Sequence, residues 1–315
     1  MKVAGLFRLV RGGNLLLVAL TQALVQFTII EPILQQAGIT PTLTPLLSIS
    51  LIVATVLVAA GGYIINDYFD VSIDTINRPG KVVIDRSIPR RLALLLHQLL
   101  TWTGVAIATA VSWQAGNPKL MLVHVLAAAM LWLYSAAYKR KALAGNLVVA
   151  LLTALVVALM PLYERQLFYP STVEGRQAAR TILIIVFYYF SFAFLVSLVR
   201  EWVKDLQDME GDRRFGSRTL PLLWGQKRVR WLSILLLGGI IFMIGAIQLM
   251  QIKGKDYASA FTLLVMLQLP LVATVYMLVH ARQPSQFRLA GNLLKWVMFM
   301  GVLTMLYFYL VTLRS

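Results

Sequence analysis

Cysteine is absent from the 315 residues, which removes disulfides, thiolate catalysis and Cys-ligated metals. Charge is nearly as scarce. Charged side chains make up 13% of the chain against 59% hydrophobic, about half the charged share of a soluble domain. Acidic residues number thirteen, and the three histidines, His97, His124 and His280, share neither a segment nor a metal-ligand spacing. Each histidine is expected to pack or to line a helix interface. Low-complexity tracts and internal repeats are also lacking, so residues 1–315 read as a single integral-membrane domain.

What the chain has instead is apolar length. Nine runs of about 20 residues, enough to cross a hydrocarbon core, fall near 14–34, 43–65, 92–113, 119–137, 143–163, 179–199, 231–250, 258–280 and 290–312. The first is longer than a signal-peptide core, and no small-residue cleavage site follows it at Gln35–Thr42. It is expected to remain as a span. The expected fold is therefore all-α and polytopic, with nine transmembrane helices.

The net charge of +16 raises nucleic acid as a partner, but its distribution points to a membrane. Basic residues crowd the N-terminus and the connections after spans two, four, six and eight, while the alternate connections are poor in them. Under the positive-inside rule this puts the N-terminus in the cytoplasm and the C-terminus on the opposite side. The basic excess also suits anionic lipid headgroups. Membrane lipids are expected partners and nucleic acid is not.

The few carboxylates are not scattered. Nine of the thirteen lie in two stretches, Asp67, Asp70, Asp74 and Asp85 in one, and Glu201, Asp205, Asp208, Glu210 and Asp212 in the other. Both follow spans whose ends are expected on the cytoplasmic side. If span two continues as helix, Asn66, Asp70 and Asp74 share one face at four-residue steps, and Pro79-Gly80 ends it. Lys204, Asp208 and Asp212 repeat the spacing after span six, with Arg200 one turn earlier. Gly61-Gly62, just before the first stripe, are expected to permit close helix packing or a kink.

One such carboxylate pair beside basic residues is usually a solvated helix face. Two matched stripes at the cytoplasmic ends of spans point to chemistry. Hard divalent cations such as Mg²⁺ take one or two carboxylates together with substrate phosphates, and a metal-bridged diphosphate is a competent leaving group. Asn66, Asp70, Asp74, Asp208 and Asp212 are the expected metal ligands. Those four aspartates and Lys204 form the expected catalytic set. Arg200, Arg78 and Lys81 are placed to meet diphosphate oxygens. Asp67 and Asp205 lie off the stripes and stay open between substrate contact, support and surface, as does Glu210. Asp85 is expected to be a loop charge.

At these residues the chain resembles the UbiA-type superfamily of intramembrane prenyltransferases. Asn66, Asp70 and Asp74, followed by Asn77-Arg78-Pro79, match the first family motif, and Asp208 with Asp212 matches the second. Arg11-Gly12-Gly13-Asn14 is similar to an R-P-x-N signature with Gly in place of Pro. Tyr134-Ser135 to Lys139, then Gly145-Asn146, resembles the connection between the fourth and fifth helices. The resemblance implies nine helices around a central cavity, with a polar cap on the cytoplasmic side. It adds Arg11, Asn14, Lys139 and Asn146 to the substrate-binding residues Asn66, Arg78, Lys81, Arg200, Asp67 and Asp205. It also implies Mg²⁺ and a prenyl diphosphate donor.

The stretch from Val203 to Gly216, with Thr219-Leu220-Pro221 after it, is similar to the branch making digeranylgeranylglyceryl phosphate. That branch implies transfer of a geranylgeranyl group to the secondary hydroxyl of a glyceryl ether phosphate. The basic run Lys81, Arg86, Arg90 and Arg91 suits a phosphate-bearing acceptor. The residues after Asn77-Arg78-Pro79 depart from the usual family continuation, so an aromatic acceptor of quinone or pigment synthesis is the alternative. A cation-coupled transporter is more remote, because transporters place such groups near the bilayer midplane, often in inverted repeats.

Overall fold

A computed structural model describes residues 3–77, 82–139 and 141–313. Its helices are α1 (Val3–Leu9), α2 (Gly12–Gln36), α3 (Pro45–Asn77), α4 (Arg90–Gln114), α5 (Pro118–Tyr138) and α6 (Ala144–Tyr163). Then come α7 (Val173–Arg214), α8 (Leu220–Trp224), α9 (Gln226–Lys253), α10 (Tyr257–His280) and α11 (Pro284–Val311). Among the described residues nine of these are long and apolar enough to cross a membrane. Only isolated bridges, Ile84 with Ile88 and Lys141 with Arg218, pair extended backbone there. The all-α expectation holds, and each expected span coincides with one helix.

Two helices run well past their apolar segments. α3 carries helix through the first motif as far as Asn77. α7 is 42 residues long and carries it through the second. No proline interrupts α7 between Pro170 and Pro221. It stops where Gly216 takes a left-handed φ of 66° and Ser217 N–H returns to the Asp212 carbonyl at 3.0 Å, a glycine-based helix stop.

The chain divides into two compact units, residues 1–139 with 155–188, and residues 140–154 with 189–315. In the first unit α3 packs along α4. A Cβ on Gly61 would lie 2.2 Å from Thr101 Oγ1, and one on Gly104 would lie 2.7 Å from the Ala54 carbonyl oxygen. A Cβ on Gly62 would instead meet Leu131 of α5 at 2.7 Å. The adjacent glycines thus admit two different helices, which realises the packing role expected of them. Leu9, Ile64, Val71, Ile84, Ile88 and Ala93 form an apolar cluster beneath the connection from α3 to α4.

Two local breaks in the α-helical ladder precede prolines. Residues Val25–Ile30 form a π-helical turn ahead of Pro32, and Leu264–Gln268 form another ahead of Pro270. Each proline removes a backbone donor. A third π-turn, Tyr134–Tyr138, ends α5, and Lys139 N–H reaches back five residues to the Tyr134 carbonyl at 2.9 Å. In the second unit Val203, Leu220, Val229, Leu237, Phe287 and Leu294 belong to one buried apolar cluster.

Two of the three histidines, His97 and His124, are buried as expected. His97 Nδ1 lies 3.0 Å from the Gly61 carbonyl. His124 sits between Thr55 and Tyr163, at 3.3 and 3.2 Å, whereas His280 is exposed, with its Nδ1 2.9 Å from the Tyr276 carbonyl oxygen.

Candidate active site

In the first unit the polar end of α3 gathers the first motif. Asn66 and Asp70 are buried, at 9% and 5% exposure, and Asn66 Nδ2 donates to Asp70 Oδ2 at 2.9 Å. The ammonium of Lys139 donates to the same Asp70 oxygen and lies 3.5 Å from Asn66 Oδ1. The π-turn at the end of α5 brings that lysine to Asp70. A buried carboxylate needs a counter-charge, and here an ammonium supplies it.

Asp67 faces a different partner. Arg11 Nη2 donates to Asp67 Oδ1 at 2.8 Å, and the guanidinium lies 5.1 Å from the Tyr63 ring centroid. Removal from water opposes the charge on Arg11, but Asp67, Tyr63 and Asp70 outweigh it and raise its pKa above the ordinary guanidinium value. Arg11 itself takes a left-handed φ of 52° and caps α2. Asn14 sits half-buried in the first turn of that helix. Asp85 is a loop charge, as expected, paired with Arg90 at 2.7 Å. The Asp74 side chain, Arg78 and Lys81 lie outside the described residues.

In the second unit, Asn146 Nδ2 donates to Asp205 Oδ2 at 2.9 Å. Gln207 Nε2 donates to Asp208 Oδ1 at 3.1 Å, and the exposed Arg214 pairs with Glu210 at 2.6 Å. Asp212 lies half-buried on the same helix. The reading of the sequence gave Glu201 no role. Its carboxylate is buried and accepts from Arg200 Nη1 at 3.1 Å and from Lys204 Nζ at 3.4 Å. The signal was present: an acidic residue next to Arg200 and three before Lys204, off the stripe but within reach of both cations.

Among the described residues no group of three or more His, Cys, Asp or Glu side chains is close enough to cage a metal. The donors on both stripes are oxygen atoms of Asn and Asp. That set suits Mg²⁺ held by one or two carboxylates together with substrate phosphates, the usual alternative to an all-protein cage. In this structure the Asp70 carboxylate accepts from both Lys139 and Asn66 Nδ2, so the ammonium occupies the oxygen that a metal would share.

The profile of the UbiA prenyltransferase family matches residues 24–303. The chain belongs to the UbiA prenyltransferase family. Among relatives of this UbiA chain is the digeranylgeranylglyceryl phosphate synthase of Pyrococcus abyssi, 35% identical over 174 residues, or 55% of each chain. The synthase of that name from Thermococcus gammatolerans is 29% identical over 247 residues, 78% of this chain and 80% of its own. The chain spans little more than half the length of the first of these. A solved structure described by its work on digeranylgeranylglyceryl phosphate synthase in membranes has a TM-score of 0.66 at 20% identity, over 98% of this chain and 99% of its own. A UbiA homolog from Archaeoglobus fulgidus bound to GPP and Mg²⁺ has a TM-score of 0.61 at 15% identity, over 95% and 99%. These likenesses make the UbiA fold that of the whole described chain.

Proposed function

We propose that this chain transfers a prenyl group, geranylgeranyl in particular, from a prenyl diphosphate to a glyceryl ether phosphate and releases diphosphate. The observation that carries the reading is the buried Asn66–Asp70 pair held by Lys139 at the polar end of an apolar helix. It combines oxygen donors for a hard cation with an adjoining ammonium for phosphate oxygens. The names of the synthase relatives support the acceptor, and the GPP and Mg²⁺ of the Archaeoglobus fulgidus homolog support the donor. The family match across residues 24–303 supports one domain comprising both units.

Asn66, Asp70, Asp74, Asp208 and Asp212 are the residues that would hold Mg²⁺. When bound, the metal neutralises charge that develops on the diphosphate as the bond to the prenyl C1 breaks. The electron pair of that bond leaves with the diphosphate oxygen. The secondary hydroxyl oxygen of the acceptor then bonds to C1, and its proton passes to the released diphosphate. Lys204, Arg200 and Lys139 bind phosphate oxygens, each oriented by a carboxylate. Arg11, Asn14, Asn146, Arg78, Lys81, Asp67 and Asp205 complete the substrate contacts and their supports. The positive-inside pattern supports a site open to the cytoplasm, with the N-terminus on that side. The apolar spans solvate the prenyl chain.

Purified protein incubated with labelled geranylgeranyl diphosphate, Mg²⁺ and geranylgeranylglyceryl phosphate should form a doubly prenylated product. Turnover with an aromatic acceptor, but none with the glyceryl phosphate, would overturn the acceptor assignment.

A further inference from the structure

A groove of about 780 Å³ opens beside the first turns of α7, at the end of that helix away from the second motif. Arg176 and Arg180 line it, as do the apolar side chains of Phe168, Leu183, Ile184 and Phe187. All belong to the first unit. Both arginines are exposed, as are Ile184 at 47% and Phe187 at 65%.

The order of these residues matches the depth of a bilayer leaflet. Residues 176, 180, 183, 184 and 187 follow the i, i+4, i+7, i+8, i+11 pattern that keeps one helix face. The charged pair comes at the edge of the apolar run near 179–199 and the apolar wall inside it. Two guanidiniums one turn apart suit a single phosphate. The neighbouring acidic residues do not neutralise them along this face. Glu164 is fully buried and accepts from the backbone N–H groups of Thr42 and Leu43. Glu174 precedes Arg176 by two residues and so projects elsewhere on the helix. Arg165 is engaged with the Tyr169 ring at 5.9 Å.

Counting spans puts the connection between α6 and α7 on the membrane face opposite the two motifs. A diphosphate substrate handled at the motifs is therefore not the natural occupant. We infer that this groove is a binding site for an anionic phospholipid of the opposite leaflet. Its phosphate lies on Arg176 and Arg180, and one chain lies along Leu183, Ile184 and Phe187.

The test is native mass spectrometry of the purified protein titrated with phosphatidylglycerol or phosphatidylcholine, beside Arg176→Gln/Arg180→Gln and Ile184→Trp. The wild type should take up one phosphatidylglycerol about thirtyfold more tightly than the double variant, the effect of two interfacial basic residues. Ile184→Trp, which fills the groove and leaves both charges, should weaken uptake as well. Phosphatidylcholine should bind all three proteins alike and weakly. Equal phosphatidylglycerol uptake by the wild type and both variants would overturn the site. So would displacement of the lipid by geranylgeranylglyceryl phosphate, which would make the groove an acceptor site. Ile184→Trp dissociating a dimer without changing lipid uptake would assign the groove to a second copy instead.

Discussion

The ammonium of Lys139 donates to the buried carboxylate of Asp70, although 69 residues separate them. This pair joins the end of α5 to the first motif and neutralises a buried acid there. Asp70→Asn removes the negative charge and keeps the shape, so the helix should survive and cation binding should not. Mg²⁺-dependent diphosphate release is expected to fall roughly 10²–10³-fold, the scale for loss of one electrostatic contact in a transition state. A diphosphate-release assay beside a thermal melt checks both halves. Unchanged release would remove Asp70 from the chemistry.

Glu201 makes a separate prediction, because it orients two cations without lying on the carboxylate stripe. Its buried oxygens hold Arg200 and Lys204. Glu201→Gln should free both side chains to sample other rotamers. If they bind donor phosphates equally before and during reaction, KM for prenyl diphosphate rises about tenfold while kcat changes little. Steady-state kinetics with varied donor would show it. A fall in kcat at constant KM would instead make Glu201 part of the reacting machinery.

The sequence made the helices and both motif positions legible for a simple reason. Apolar length and four-residue spacing are local properties, and α3 and α7 continue as helix because no proline follows Pro45 before Pro79, or Pro170 before Pro221. Partnerships were less legible. Arg11 with Asp67 and Asn146 with Asp205 were each expected to contact substrate, and the structure shows them bonded to each other. Such pairs depend on helices meeting across 56 and 59 residues of chain, which spacing alone does not encode. Glu164 carries no signal in the sequence, because a lone acid in a short connection has no pattern around it. Its role appears only once Thr42 and Leu43 are beside it.

That role yields a stability prediction. Glu164 is fully buried and accepts from Thr42 N–H at 2.8 and 2.9 Å, and from Leu43 N–H at 3.3 Å. Glu164→Ala would leave these amides without an acceptor. Unsatisfied buried groups cost about 1–3 kcal/mol each, so a loss of roughly 2–4 kcal/mol is expected. Thermal melts in detergent should show a lowered midpoint. Activity per folded molecule at low temperature should be kept, since Glu164 lies at the connection opposite the motif ends of the spans. Loss of activity without loss of stability would contradict a purely structural clamp.

The two close approaches between α3 and α4 should respond differently to a single methyl group. At Gly61 the obstacle to a Cβ is chiefly a side chain, Thr101 Oγ1, with the His97 carbonyl at 3.3 Å. At Gly104 the obstacle is the Ala54 carbonyl oxygen at 2.7 Å, which moves only if a helix moves. Overpacking of this kind costs about 1–3 kcal/mol, with Gly104→Ala expected at the upper end. Thr101→Ala should rescue much of the loss from Gly61→Ala and none of the loss from Gly104→Ala. A double-mutant cycle on thermal stability reads this as strong coupling for one pair and additivity for the other. Coupling of equal size would mean the helices separate as a body, and the packing of α3 on α4 would then be softer than the contacts at Ala54 imply.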